Sequence, residues 1–376
     1  GKMNFDFSDD QKMLKDQARK FLDDTCTLDH VRKILEGDAG HDDAVWKGLC
    51  DLGFAGAAIP EEFGGLGLGP LELCVLAEEL GRCVAPVPFS SSIYLAAEAL
   101  KNFGNQTQKE TWLPQLATGA CIGTLSASEG TQPPSPATVK TTFADGKLNG
   151  TKIPVADAMI AGLAIVLANT GGKGERALSL VAVDLSAEGI NRREVETIDP
   201  TRGHGEIVFE NAPATLVGKE GDGWDNYRRI EAGAAVLVAF EQVGGAEAAM
   251  NMAKEYALER YAFGRQIGSY QAIKHKIADM YVKLELARSN AYYGAMAFAE
   301  DAGDLELAAA AARISATEAY RFAAQESIQV HGGIGFTWEA NTQFHYRRSK
   351  LLALSLGSAS RWKDRLVSEL EKSNVA

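Results

Sequence analysis

The residues able to do chemistry in this chain fall in a few short runs. Arg260-Tyr261-Ala262-Phe263-Gly264 places a guanidinium where a long helical pattern breaks. Such a group satisfies phosphate oxygens through charge-assisted hydrogen bonds, or pairs with Glu255 or Glu259 nearby on the helix. Phe263 offers an aromatic cover for an apolar surface. Gln329-Val330-His331-Gly332-Gly333 sets an amide and an imidazole beside two residues without Cβ, where backbone can approach a ligand or simply turn. Ser128-Glu129-Gly130 presents a hydroxyl and a carboxylate just before Pro133-Pro134, which removes two backbone donors and fixes φ. Glu231 and Glu241 are able to take a proton, but on a helix such carboxylates are expected to be solvated or held at an interface. His331 suits packing or hydrogen bonding, and His345-Tyr346-Arg347-Arg348 reads as a basic helix end that is partner-facing or solvated. Cys26, Cys50, Cys74, Cys83 and Cys121 are odd in number and lack metal-ligand spacing, so reduced thiols and no metal are expected.

The elements that position these residues follow from pattern and composition. A chain of 376 residues outgrows a single hydrophobic core, which predicts two or three compact units. With 46% hydrophobic and 23% charged residues the composition is that of an ordinary globular protein. The net charge of −12 argues against a nucleic-acid partner, whose phosphates need clustered Lys and Arg. No apolar run reaches the roughly 18 to 20 residues of a membrane span. Gly1-Lys2-Met3-Asn4-Phe5 lacks the regions of a signal peptide, and a cytoplasmic protein is expected.

Helical periodicity runs from Ser8 to about Gly119, opened by the capping-box pattern Ser8-Asp9-Asp10-Gln11 and interrupted by a tight loop over Ile59 to Gly67. Short β-type runs follow between about Ala120 and Gly218, namely Ile165 to Leu167, Leu178 to Val183 and Glu206 to Phe209. After Asp222-Gly223-Trp224 helical spacing returns, with Ile273, Ile277, Met280 and Leu284 on one face and an alanine-rich stretch from Leu305 to Ala324. An α+β fold is expected, with a helical domain over 1–119, a β domain over 120–220 and a helical bundle over 221–376.

Leu52-Gly53-Phe54-Ala55-Gly56, Pro60-Glu61-Glu62-Phe63-Gly64-Gly65 and Glu78-Glu79-Leu80-Gly81-Arg82 recur in the order and spacing of a known family, the acyl-CoA dehydrogenases. Leu113-Pro114, Phe209, Val217-Gly218, Gln271-Ala272 and the runs at 260–264 and 329–336 extend the likeness nearly to the C-terminus. The chain thus resembles FAD enzymes that oxidise acyl-CoA thioesters between Cα and Cβ. The resemblance implies a helical domain, a β-barrel or sandwich domain and a four-helix bundle, assembled as a dimer of dimers. It also implies an FAD lying across a dimer interface, with the flavin ring held by one subunit and the pyrophosphate end touched by its neighbour. Residues that in the family reach the neighbour's FAD are present as Arg260, Phe263, Ile267, Gln271, Gln329, Gly332 and Gly333.

The residues that would hold the chain's own flavin depart from the family pattern. Where the family has a Gly-rich cradle this chain has Ala127-Ser128-Glu129-Gly130-Thr131-Gln132-Pro133-Pro134, in which Ser128 is expected to keep a hydroxyl near the ring. Pro154 and Ala156 stand where a Trp and a Thr would meet the flavin. The two positions at which the family carries its general base fall at Leu356 and Ala234, and neither takes a proton. Glu231 and Glu241 share the Ala234 face and are the substitutes available. The reading this supports is a partner-dependent subunit of an α2β2 acyl-CoA dehydrogenase. A homologous chain holds the flavin and acyl-CoA, and electron-transfer flavoprotein or a similar protein accepts the electrons. A self-sufficient homotetramer with a relocated base, a non-redox scaffold and a flavin monooxygenase relative are the alternatives.

Overall fold

The computed structural model describes residues 6–259, 261–262, 265–266, 268, 270–332, 335, 337 and 340–375. Helices α1 (Asp9–Thr25), α2 (Leu28–Glu36), α3 (Asp43–Asp51), α4 (Pro70–Arg82), a π-helix (Ser90–Ala97), α5 (Glu98–Phe103) and α6 (Gln106–Thr118) come first. Eight strands follow: β1 (Gly123–Ser126), β2 (Thr142–Ala144), β3 (Lys147–Ala156), β4 (Leu163–Asn169), β5 (Leu178–Asp184), β6 (Ile190–Val195), β7 (His204–Pro213) and β8 (Thr215–Val217). Helix α7 (Gly223–Glu259), a short antiparallel pair β9 (Tyr261–Ala262) and β10 (Arg265–Gln266), and helices α8 (Gln271–Ala299), α9 (Leu305–Val330), α10 (Thr342–Leu354) and α11 (Ala359–Val375) come last. The expected order of helices, strands and helices is therefore present.

Packing divides the chain into two units. The first takes Lys33–Gly69 and Pro86–Ala234. Its strands form one sheet in the order β6-β7-β3-β2-β4-β5-β8, with β1 beside β4. The pairings are antiparallel except β1 with β4 and β2 with β4. Leu148, Val155, Val166, Val181, Ile207 and Phe209 from four strands share one core, and β5 touches β7 across the strands that separate them in the hydrogen-bonded order. The sheet therefore curls around its apolar face, with β7 burying alternate residues and β4 and β5 buried on both faces. The tight loop of the sequence sits in this unit as a short 3₁₀ turn at Glu61–Phe63. A Cβ on Gly65 would lie 1.9 Å from the Ile59 carbonyl oxygen, so only glycine closes that turn.

The second unit takes Gly1–Arg32, Pro70–Ala85 and Ala235–Ala376. At its start Ser8 and Gln11 cap each other, Gln11 N–H donating to Ser8 Oγ at 3.2 Å and Ser8 N–H to Gln11 Oε1 at 2.9 Å. Helix α9 packs against α8, α10 and α11. The Glu78-to-Arg82 run acquires a physical meaning here. Glu78 and Glu79 are buried on α4, Glu78 bonded by Lys15 and Arg288, and Glu79 by Arg19 at 2.7 Å and Arg82 at 2.9 Å. Both carboxylates are paired with cations inside the unit, and for Glu78 the Lys15 and Arg288 charges outweigh burial and hold it below its ordinary range. Among the described residues no helix is long and apolar enough to cross a membrane.

Candidate functional site

The strand segment that would cradle a flavin is fixed by bonds of its own. Ile153 N–H donates to the Ser128 carbonyl at 2.9 Å, and Gly130 N–H donates to the Ile153 carbonyl at 3.0 Å. Lys152, fully buried on β3, reaches back with its ammonium to the Ala127 carbonyl and the Glu129 carboxylate, each at 3.0 Å. Glu129 also accepts from Lys140 N–H at 2.7 Å and from the Thr141 hydroxyl at 2.6 Å. Burial pushes the Lys152 ammonium down to about 8, opposed by the adjacent Glu129 charge. Ser128 is half-buried at the end of this pinned strand.

The loop beyond closes on itself. Thr138 Oγ1 accepts from Ser135 N–H at 2.9 Å and lies 3.3 Å from the Pro133 carbonyl. Pro154 sits in a register shift between Lys152 and Val155 where β3 needs no ladder donor, and its ring is exposed. Ala156 is half-buried and carries no hydroxyl. At the positions expected to meet a flavin ring, this segment thus offers exposed Pro154 and half-buried Ala156 in place of an aromatic edge and a Thr hydroxyl.

The two positions expected for the base are Leu356 and Ala234. Leu356 follows α10 with φ at +61°, a left-handed conformation that a branched side chain adopts at a cost of about 1–2 kcal/mol. Its carbonyl accepts from Trp362 Nε1 at 3.0 Å. Buried Arg313 donates to the Leu352 and Ser355 carbonyls, each at 2.6 Å, and so fixes the end of α10. Ala234 is buried in α7. The expectation that Glu231 and Glu241 are solvated or held at an interface needs correction, because both are buried within the chain itself, and Tyr227 donates its hydroxyl to Glu231 at 2.7 Å. The basic helix end at 345–348 is also corrected. His345 is buried with Nδ1 at 2.8 Å from the Tyr320 hydroxyl, and buried Arg348 donates to the Ala85 carbonyl at 3.2 Å. Burial and the nearby Arg348 charge push the His345 imidazolium down to about 3.

Of the neighbour-reaching set, Arg260, Phe263, Ile267 and Gly333 lie outside the described residues. Gln271 is exposed at the first position of α8, its amide nitrogen 2.7 Å from His275 Nε2. Gln329 is exposed on the last turn of α9, and Gly332 follows with φ at +64°. All three described members are accessible at the ends of helices within one unit.

Sequence reasoning overlooked Lys152, and it overlooked a second buried pair. Arg202 donates to Asp157 Oδ2 at 2.8 Å, and Ser91 donates to the same oxygen at 2.7 Å. The signal available for Lys152 was its place between Leu148 and Val155, the inward positions of β3.

Comparison with known proteins agrees with the resemblance. The model of the acyl-CoA dehydrogenase N-terminal domain matches residues 8–120, and that of the C-terminal domain matches residues 221–365. The chain is 31% identical over 385 residues to acryloyl-CoA reductase (NADH) of Anaerotignum propionicum, covering 99% of this chain and 97% of that protein. It is 32% identical over 368 residues to acyl-CoA dehydrogenase IpdE2 of Mycobacterium tuberculosis, covering 97% and 98%. Among solved structures, the ChsE4-ChsE5 complex of Mycobacterium tuberculosis superposes with a TM-score of 0.89 at 26% identity over 98% of this chain and 99% of that one. Butyryl-CoA dehydrogenase of Megasphaera elsdenii gives 0.89 at 25% identity over 98% and 100%. The chain belongs to the acyl-CoA dehydrogenase family, whose members bind FAD and act as oxidoreductases on the CH–CH group of acyl-CoA thioesters.

Proposed function

We propose that this chain is the partner-dependent subunit of an α2β2 acyl-CoA dehydrogenase. A homologous chain supplies the flavin cradle, the acyl-CoA pocket and the base that removes the Cα proton. This chain completes the partner's FAD site with Arg260, Phe263, Ile267, Gln271, Gln329, Gly332 and Gly333. Bound FAD supplies the hydride acceptor, and electron-transfer flavoprotein or a similar protein takes the electrons onward. The observation that carries this reading is the αL-locked Leu356 at the position of the base, where no proton can be taken. Pro154 and Ala156 in place of flavin-facing groups point the same way. Buried Glu231 is engaged by Tyr227, so a self-sufficient enzyme with a relocated base draws no support from its geometry. The name of the ChsE4-ChsE5 relative describes a complex of two different chains, which supports an unlike partner here. A steroid- or ring-derived acyl group is the substrate class we infer by analogy with such assemblies.

The visible spectrum of the purified protein tests the proposal. Alone, the chain should lack a flavin band and should not oxidise acyl-CoA. Co-expressed with a homologous subunit from a neighbouring gene, it should copurify as a yellow, active complex. A stoichiometric flavin band with acyl-CoA oxidation by the chain alone would overturn it.

A further inference from the structure

Two helices end at the stretches assigned to the partner's FAD. Helix α7 stops at Glu259, directly before Arg260, and α9 stops at Val330, two residues before Gly332. One ring contact ties them. Tyr256, in the last turn of α7, lies against His331 with ring centroids 4.2 Å apart and planes at 31°. That distance is close to the near end of the range for paired rings.

The His331 ring is fixed from its own helix as well. Its Nδ1 is 2.6 Å from the Ser327 carbonyl oxygen, and its backbone N–H donates to the same oxygen at 3.1 Å. A carbonyl only accepts, so Nδ1 carries the proton and Nε2 keeps its lone pair. His331 is therefore the residue that closes α9 and also the one whose ring meets α7. Gly332 comes next with positive φ, and a Cβ built on it meets nothing within 4 Å. Beyond it the Gly335 carbonyl accepts from Thr342 Oγ1 at 3.0 Å and Gln343 Nε2 at 3.1 Å, so the turn is anchored on its far side and His331 is its contact with the end of α7.

We propose that Tyr256 and His331 are positioning residues, a stacked pair that fixes the Gly332 turn against the end of α7 so that Gln329 and the Gly332 backbone meet the partner's FAD in one geometry. The role rests on the partner-dependent reading above. Its physical basis is preorganisation: a site in the competent conformer a tenth of the time binds roughly tenfold more weakly.

The test uses the co-expressed complex with Tyr256→Leu, His331→Ala and Tyr256→Phe. FAD affinity is followed by flavin fluorescence, and amide exchange is followed in the peptide spanning 327–335. Tyr256→Leu and His331→Ala should weaken FAD binding by roughly tenfold and speed exchange at Gly332, while kcat at saturating FAD stays near wild type. Tyr256→Phe, which keeps the ring, should restore both signals. Unchanged exchange in a folded Tyr256→Leu complex, or a Phe variant as weak as the Leu variant, would overturn the positioning role. Faster exchange with FAD affinity unaltered would overturn it too. A wild-type complex without FAD would instead sink the partner-dependent reading, and the exchange measurement would still decide whether the pair holds the turn.

Discussion

His345 is neutral in the folded chain because burial and Arg348 depress its imidazolium from the ordinary 6.5 to about 3. Between those values the unfolded chain binds a proton that the folded chain refuses. Stability from this group is therefore complete above the unfolded value and is lost as pH falls through the window. His345→Gln should flatten that loss, so that its urea midpoint drops less than that of wild type between about pH 7 and about pH 5. Equal drops in the two proteins would refute the assignment. No local pattern announces this burial, since His345-Tyr346-Arg347-Arg348 has the composition of a solvated helix end. Tyr320 and the carbonyls of Val84 and Ala85, far away in the chain, help make these polar groups tolerable inside. Lys152 escaped notice for the same reason: its partner Glu129 lies on another strand segment. What single residues could tell was what they lack, and the absence of proton acceptors at 356 and 234 was legible from residue type alone.

At the scale of elements, the approach of α4 to α7 is set by two glycines. A Cβ on Gly81 would lie 1.9 Å from the Glu241 carbonyl oxygen, and one on Gly244 would lie 2.0 Å from the Glu78 carbonyl oxygen. These obstacles are backbone, so neither helix can yield without moving as a whole. Gly81→Ala or Gly244→Ala should each cost more than about 3 kcal/mol, although alanine improves intrinsic helix propensity by about 1 kcal/mol. Gly303→Ala, where a Cβ meets nothing within 4 Å, is the control and should melt like wild type. A melting temperature unchanged in all three variants would contradict the crossing. Local signals predicted many elements well. The Ser8 capping box forms in both directions, and the β-type runs at 165–167, 178–183 and 206–209 all lie inside strands. The π-helix Ser90–Ala97 was not legible. Ser90 accepts from Arg202, Ser91 donates to Asp157 and Ser92 accepts from Gly123 N–H. Asp157 lies in the turn after β3, Arg202 in the loop before β7 and Gly123 at the start of β1, so no local pattern encodes them.

For the whole molecule, the division between retained and lost groups makes a countable prediction. If only the partner carries a flavin cradle, the number of bound FAD molecules equals the number of partner chains, and closed symmetry gives every such site an equivalent environment. The complex should then contain about one FAD per pair of unlike chains, half the occupancy of a homotetramer in which every subunit holds its own. Absorbance of released flavin against total protein measures this directly. Installing a base provides the complementary check. Leu356→Glu puts a carboxylate at the family position, but Pro154 and Ala156 still deny it a flavin on the same chain. Turnover of the complex should stay within about twofold of wild type, because a base contributes its powers of ten only when substrate and hydride acceptor are held beside it. An occupancy of one flavin per chain, together with a large rise in turnover on Leu356→Glu, would mean that this chain holds a competent flavin after all.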